Sequence, residues 1–180
     1  MSWEIRTKVK NLSKDRVEIE RSSKDFMINL IVDFTKQPQS AGSGVKFVDS
    51  LMEKMGFSVE ISKDGLENRF LIENIGFALG EALRKLHGKR KAKESGTFIQ
   101  SEKEAICMFA INAKKQGEAN LQLIGKPKFS ADYFFAFFDG FSQGFGSEVN
   151  TVVNLARSDK KHEELVSRAF GSSLEQMFSE

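Results

Sequence analysis

Lys24-Asp25-Phe26-Met-Ile-Asn-Leu-Ile-Val-Asp-Phe34 and Lys103-Glu104-Ala105-Ile-Cys-Met-Phe-Ala-Ile-Asn-Ala113 are the two stretches whose comparison decides the fold. In the first, Phe26, Ile28, Leu30, Val32 and Phe34 alternate with Met27, Asn29, Ile31 and Asp33. In the second, Ala105, Cys107, Phe109 and Ile111 share one face, and Asn112 stands where Asp33 stood. A period of two carried by aromatic and β-branched residues predicts a strand. Both strands are introduced by a lysine and a carboxylate, and such self-similarity points to an internal duplication.

The segments that follow match as well. Val48, Leu51, Met52 and Met55 fall on one helical face, as do Phe134, Phe137, Phe138, Phe141 and Phe145. Both helices are expected to stop at a Gly-Phe pair, Gly56-Phe57 and Gly144-Phe145. Short strands are predicted over 58–62 and 148–155. Each half then closes on a longer amphipathic helix, with Leu71, Ile75, Ala78, Ala82 and Leu86 in one stripe and Val166, Ala169, Phe170, Leu174 and Phe178 in the other. The order in both halves is strands, helix, strand, helix. The expected class is α+β, two tandem half-domains, each a β-sheet backed by helices. The boundaries are 1–88 for the first half, 89–96 for a basic linker and 97–180 for the second half. Either half alone is short of core, so the two are expected to pack as one folding unit.

The chain has 180 residues and a formal net charge of +2. It carries no apolar run of membrane-spanning length and no charged-then-apolar leader, so a cytoplasmic protein without a membrane partner is expected. Cys107, the single cysteine, lies within an apolar strand and reads as a small buried hydrophobe. Arg84, Lys85, Lys89, Arg90, Lys91 and Lys93 form a basic run without an acid, which leaves about −4 on the rest of the chain. Gln37-Pro-Gln-Ser-Ala-Gly-Ser-Gly44 is rich in turn formers and is expected to be a mobile loop.

Arg21-Ser-Ser-Lys-Asp25, Gly44-Val-Lys-Phe-Val-Asp-Ser-Leu-Met52, Glu73-Asn-Ile-Gly-Phe-Ala-Leu-Gly-Glu-Ala-Leu83 and Glu102-Lys-Glu-Ala105 occur here in that order. Together they resemble the imidazoleglycerol-phosphate dehydratase family, manganese-dependent lyases of histidine biosynthesis. The resemblance covers nearly the whole chain. It implies two tandem half-domains of the ribosomal protein S5 domain 2-like class, assembled as trimers into a hollow shell. A trimer-based homo-oligomer is therefore expected.

The family's chemistry does not carry over position by position. In the family a histidine pair on the second helix of each half precedes a glutamate by two intervening residues, so that imidazole and carboxylate face a metal. The matching positions before Glu73 are Arg69 and Phe70; those before Glu164 are Lys160 and Lys161. Two further family histidines correspond to Ser50 and Ser147. Lysine and arginine offer only donors and repel a cation, so no metal ligands are expected, and manganese only if family activity survives. The chain has two histidines. His87 falls in the basic linker, where exposure is expected; His162 lies one position from a family ligand site, and one imidazole does not replace several.

Four carboxylates persist as candidate catalytic groups. Asp25 stands where the family has a glutamate that acts on substrate, Glu104 matches its counterpart in the second half, and Glu73 and Glu164 follow the lost histidine pairs. Such groups could hold a hard ion such as magnesium or serve as acid and base. They equally suit solvated strand starts and helix surfaces, with Glu73 near Arg69 and Glu164 near Lys160 at helical spacing. For a phosphorylated small molecule the nearest counterparts of the family's basic residues are Arg90, Lys93, Lys114 and Lys115. The family's Ser- and Lys-containing tail, which closes over phosphate, has no counterpart before Glu180.

Three readings follow, in order. The first is a non-catalytic relative that assembles, binds a ligand or regulates. The second is an enzyme of altered or residual activity, a carbon-oxygen lyase working through the four carboxylates. The third is a nucleic-acid-binding module using residues 84–93, which lacks a groove-reading motif and is disfavoured by the acidic remainder.

Overall fold

A computed structural model describes residues 4–102, 104–114, 116–155 and 162–179. The first half runs β1 (Arg6–Leu12), β2 (Arg16–Ser22), β3 (Met27–Asp33), α1 (Lys46–Met52), β4 (Ser58–Asp64) and α2 (Arg69–Arg90). The second runs β5 (Ser95–Glu102), β6 (Ala105–Asn112), β7 (Glu118–Ile124), α3 (Ala131–Phe145), β8 (Glu148–Asn154) and α4 (His162–Phe178). The first sheet has the order β1-β2-β3-β4 and is antiparallel throughout; the second has the order β5-β6-β8-β7, with β7 parallel to β8.

The duplication lies in three strands of each sheet. β2-β3-β4 and β5-β6-β8 are the same unit, a hairpin whose second strand pairs with a strand returning after a helix. The fourth strand differs: β1 extends the hairpin side of one sheet, and β7 lies on the far side of the other. Where the second half places β7, the first has the loop expected to be mobile. That loop is pinned instead. The Ile61 N–H donates to the Ala41 carbonyl (2.7 Å), so the loop lies on the free edge of β4. Ala41 and Ser43 are buried, and the Ser43 hydroxyl donates to Asp49 (2.8 Å). Small residues pack there without leaving a hydrophobic pattern to read.

The inner faces of both sheets are buried, through Ile19, Ile28, Leu30 and Val32 on one side and Cys107, Phe109, Ile111 and Val153 on the other. The helices lie between them. α2 packs on β2 and β3, α4 on β5 and β6, and α3 on β7 and β8, while α2 meets α3 and α1 meets α4. The buried residues of both halves form one continuous core. Phe134, Phe137, Phe138, Phe141 and Phe145 all belong to it, so this stripe is core and not an interface. Phe138 shows how: its ring centroid lies 4.9 Å from Phe109 of β6 and 5.0 Å from Phe170 of α4. Tilted and edge-to-face contacts of this kind add to the area they bury.

The closest helix contact depends on four glycines, Gly76 and Gly80 on α2 and Gly140 and Gly144 on α3. A Cβ built on Gly76 would stand 2.1 Å from the Phe137 carbonyl oxygen, and one on Gly140 2.0 Å from that of Glu73. Gly80 and Gly144 are as tight, at 2.3 Å from Phe141 and 2.1 Å from Phe77. Gly144 is therefore a contact residue inside α3 and not a stop. The helix runs to Phe145, the second residue of the expected pair, and is capped by Gly146 (φ 68°), whose N–H reaches the Ser142 carbonyl. α1 likewise ends at Met52, ahead of Gly56. The basic run is mostly helix: Arg84, Lys85, Lys89 and Arg90 are the last turns of α2, where cations favour the carbonyl end of the helix dipole. Only residues 91–94 separate α2 from β5.

Gly140→Ala is expected to destabilise the protein by at least ~2 kcal/mol, because backbone cannot yield as a side chain can. Gly88→Ala, where nothing lies within 4 Å, should stabilise it by ~0.5–1 kcal/mol through helix propensity. Denaturant unfolding of the two variants measures both. Burial pushes the Cys107 thiol up to about 12. It should resist a thiol reagent at pH 8 in native protein and react at once on unfolding, and its burial should begin to cost stability only as pH rises past about 9, where the unfolded thiol ionises.

Candidate functional site

The start of α2 forms one wall of a cleft of about 630 Å³. Asn68 caps this helix, its side chain accepting the Leu71 N–H (2.9 Å). The capped turn presents Phe70, which is 44% exposed, beside Leu71. Leu66 from the preceding loop and Ile5 from the approach to β1 add apolar surface, and Asp25 and Phe26 come from the turn into β3. Phe26 and Phe70 meet edge to face, with ring centroids 5.7 Å apart.

A buried polar chain holds this wall in place. The Arg21 Nε–H donates to Asn74 Oδ1 (2.8 Å), and Asn74 Nδ2–H donates to the Phe70 carbonyl (2.8 Å). A second guanidinium nitrogen donates to the Thr7 hydroxyl (2.7 Å), and the guanidinium carbon sits 3.7 Å from the centre of the Phe77 ring. Burial lowers the Arg21 guanidinium from its ordinary value, partly opposed by the charges of Glu81 and Glu73. Arg21 thus ties β1, β2 and α2 together.

The four carboxylates do not converge on this cleft. Asp25 lines it and is exposed, whereas Glu73 lies a turn further along α2 and does not. Glu104 is exposed in the turn between β5 and β6. Glu164, on α4, meets Arg168 of the same helix. Lys160 and Lys161 lie outside the described residues.

The basic candidates sit at the other end of α2. Arg90 pairs with Asp15 of the β1–β2 turn, and its guanidinium carbon lies 4.5 Å from the Phe34 ring centre, so it packs inward. The Lys93 N–H donates to the Met177 carbonyl (2.7 Å), with its ammonium 3.5 Å from the Ser179 hydroxyl. The Lys114 ammonium lies 2.6 Å from Glu94, and Lys115 falls outside the described residues. Twenty residues separate Phe70 from Arg90 along one helix, a span of ~30 Å, so a small ligand cannot touch both ends within one chain.

The two histidines are also apart. His87 is half-buried, not exposed as its place in the basic run suggested; its Nε2–H faces the Lys93 carbonyl (3.0 Å) and its ring packs 6.1 Å from Phe178 at the end of α4. His162 opens α4, buried, and its Nδ1 accepts the Lys128 N–H (3.1 Å). The length of α4 puts the two rings roughly 20 Å apart. Sequence reasoning missed the cleft because its walls are Ile5, Leu66 and Asn68, each unremarkable alone. An N-capping asparagine followed two residues later by an exposed phenylalanine was the available signal.

The family model for imidazoleglycerol-phosphate dehydratase matches residues 43–174. The chain belongs to this family. An imidazoleglycerol-phosphate dehydratase of Thermotoga neapolitana is 27% identical over 161 residues, covering 81% of this chain and 77% of that protein. One of Carboxydothermus hydrogenoformans is 24% identical over 159 residues, covering 82% and 81%. The crystal structure of the Staphylococcus aureus dehydratase shares the fold with a TM-score of 0.74 at 17% identity, over 91% of this chain and 98% of that one. A Pyrococcus furiosus member solved in complex with (S)-C348 gives 0.65 at 18% identity, over 88% and 89%. The family match begins after Ile5, Asp25 and Phe26, so these walls of the cleft lie outside it.

Asn74→Ala should leave the buried Arg21 Nε–H without its acceptor and cost roughly 2 kcal/mol. Thermal unfolding measures the loss, and Asn74→Asp, which keeps an acceptor, should recover part of it.

Proposed function

We propose that this member of the dehydratase family is non-catalytic and acts as an assembling, ligand-binding or regulatory relative in the cytoplasm. The observation that carries the reading is the placement of the donors. A manganese site built from imidazoles needs several of them around one point. Here the two imidazoles stand at opposite ends of α4, each engaged with a backbone group. At the start of α2, Arg69 and the exposed Phe70 occupy the positions that the resemblance assigns to a histidine pair. This donor set does not fit the metal, and no step of dehydration is derived through it.

Assembly with copies of itself is supported by the contrast between the two outer sheet faces. On the second sheet Ile99, Met108 and Val152 stand in one cross-strand row, and Ile106 and Ile124 flank it. Ile99 is 60% exposed. The first sheet instead carries ion pairs on its outer face, Lys10 with Glu20 and Arg16 with Glu18. An exposed apolar patch beside a charged one marks a surface suited to a partner, and the trimer expected from the resemblance would cover it. A phosphorylated ligand at Lys93 and Lys114 belongs to the same reading and would have to displace Glu94 from Lys114. Among the described residues, no helix is long and apolar enough to cross a membrane.

Purified protein loaded with manganese and then desalted should retain substoichiometric metal and show no dehydration of imidazoleglycerol phosphate; stoichiometric manganese with turnover overturns the reading. Sedimentation should show a species larger than one chain, and Ile99→Glu should shift it towards the monomer.

A further inference from the structure

The cleft at the start of α2 combines an apolar cup with one charge among the described residues that line it. Five of its walls are Ile5, Phe26, Leu66, Phe70 and Leu71, and its volume of about 630 Å³ lies in the range of small-molecule sites, ~300–1,000 Å³. The charge is Asp25. Its N–H is held by the Ser23 hydroxyl (3.1 Å), while its carboxylate has no partner among the described residues. Lys24 and Arg69 adjoin the cleft in sequence without lining it. The two aromatic rings meet edge to face and Phe70 is the more exposed, so an occupant meets aromatic surface together with a carboxylate. The carboxylate favours a cation, and the apolar and aromatic walls favour a hydrocarbon body. An anion would meet Asp25 in repulsion, and the Leu71 N–H at the helix start is already taken by Asn68.

We propose that this cleft binds a small organic ammonium compound with an aromatic or aliphatic body, its cation at Asp25 and its body between Phe26, Phe70 and Leu66. The proposal rests on the ligand-binding reading above and names the class of ligand. Asp25, Leu66 and Phe70 are exposed, so recognition can be altered at these positions without disturbing the core, to which Phe26 belongs.

The test is calorimetric titration of the full chain with 2-phenylethylammonium, 2-phenylethanol and 3-phenylpropionate at neutral pH and low salt. Saturable binding of the ammonium compound is expected, at least ten-fold tighter than either of the others. Asp25→Asn and Phe70→Ala, checked for native unfolding behaviour, should each weaken it ten-fold or more. Absence of saturable binding, equal affinity for the three probes, preference for the carboxylate, or an unaltered Asp25→Asn variant overturns the assignment. So does dissociation of an assembly by Phe70→Ala, which would give the cleft to a second copy of the chain. Failure of amine binding leaves the non-catalytic reading intact, whereas measured dehydratase turnover overturns that reading whatever the amine result.

Discussion

Two helices that touch through their backbones hold this molecule together. Gly76 and Gly80 of α2 face Gly140 and Gly144 of α3 so closely that carbonyl oxygens occupy the space a methyl group would need. Packing at that distance fixes the helix pair to within a few tenths of an ångström. The sheets inherit the constraint, because α2 lies on β2 and β3 while α3 lies on β7 and β8. The phenylalanines of α3 then fill what the glycines leave open, reaching Phe109 on one sheet and Phe170 on α4. Cα–H groups brought against carbonyls in this way contribute weakly, so dispersion and area burial carry most of the stabilisation.

Much of the architecture was legible because two periodicities repeat. β3 and β6 alternate clearly, and the stripes of α2 and α4 are unbroken. β1 was not visible in the same way, since Arg6–Leu12 is an edge strand exposed along most of its length and carries little apolar pattern. Gly144 was misread for a different reason: a glycine late in a helix suits a stop or a contact equally, and only the partner helix decides. The placement of β7 depends on pairing with β8, thirty residues further on at every register position, which no local pattern encodes.

The candidate site was less legible, and the reason is tertiary. Arg90 suits phosphate in isolation, but its partner Asp15 is 75 residues away and turns it into a brace between a strand turn and a helix end. Arg21 was quoted only as part of a motif, yet its bonds to Asn74 and Thr7 set the wall of the cleft. Buried polar residues leave no periodic trace, because what they do depends on the acceptor they find. Phe70, which the resemblance sets against a family histidine, was by contrast readable directly. Its ring gives that corner of the fold a hydrocarbon surface.

The loop laid against β4 bears on how the chain avoids sticking to itself in the wrong way. A strand edge with open N–H and C=O groups is a template for another strand, and templates of that kind lead to fibres. The Ile61 to Ala41 bond occupies that template from within the same chain, at the side where the other half spends a whole strand. One duplicated unit is therefore extended by a seven-residue strand that is itself an edge, and the other is bordered by irregular backbone. A copy pairing strand to strand would have to use another edge, β1, β5 or β7.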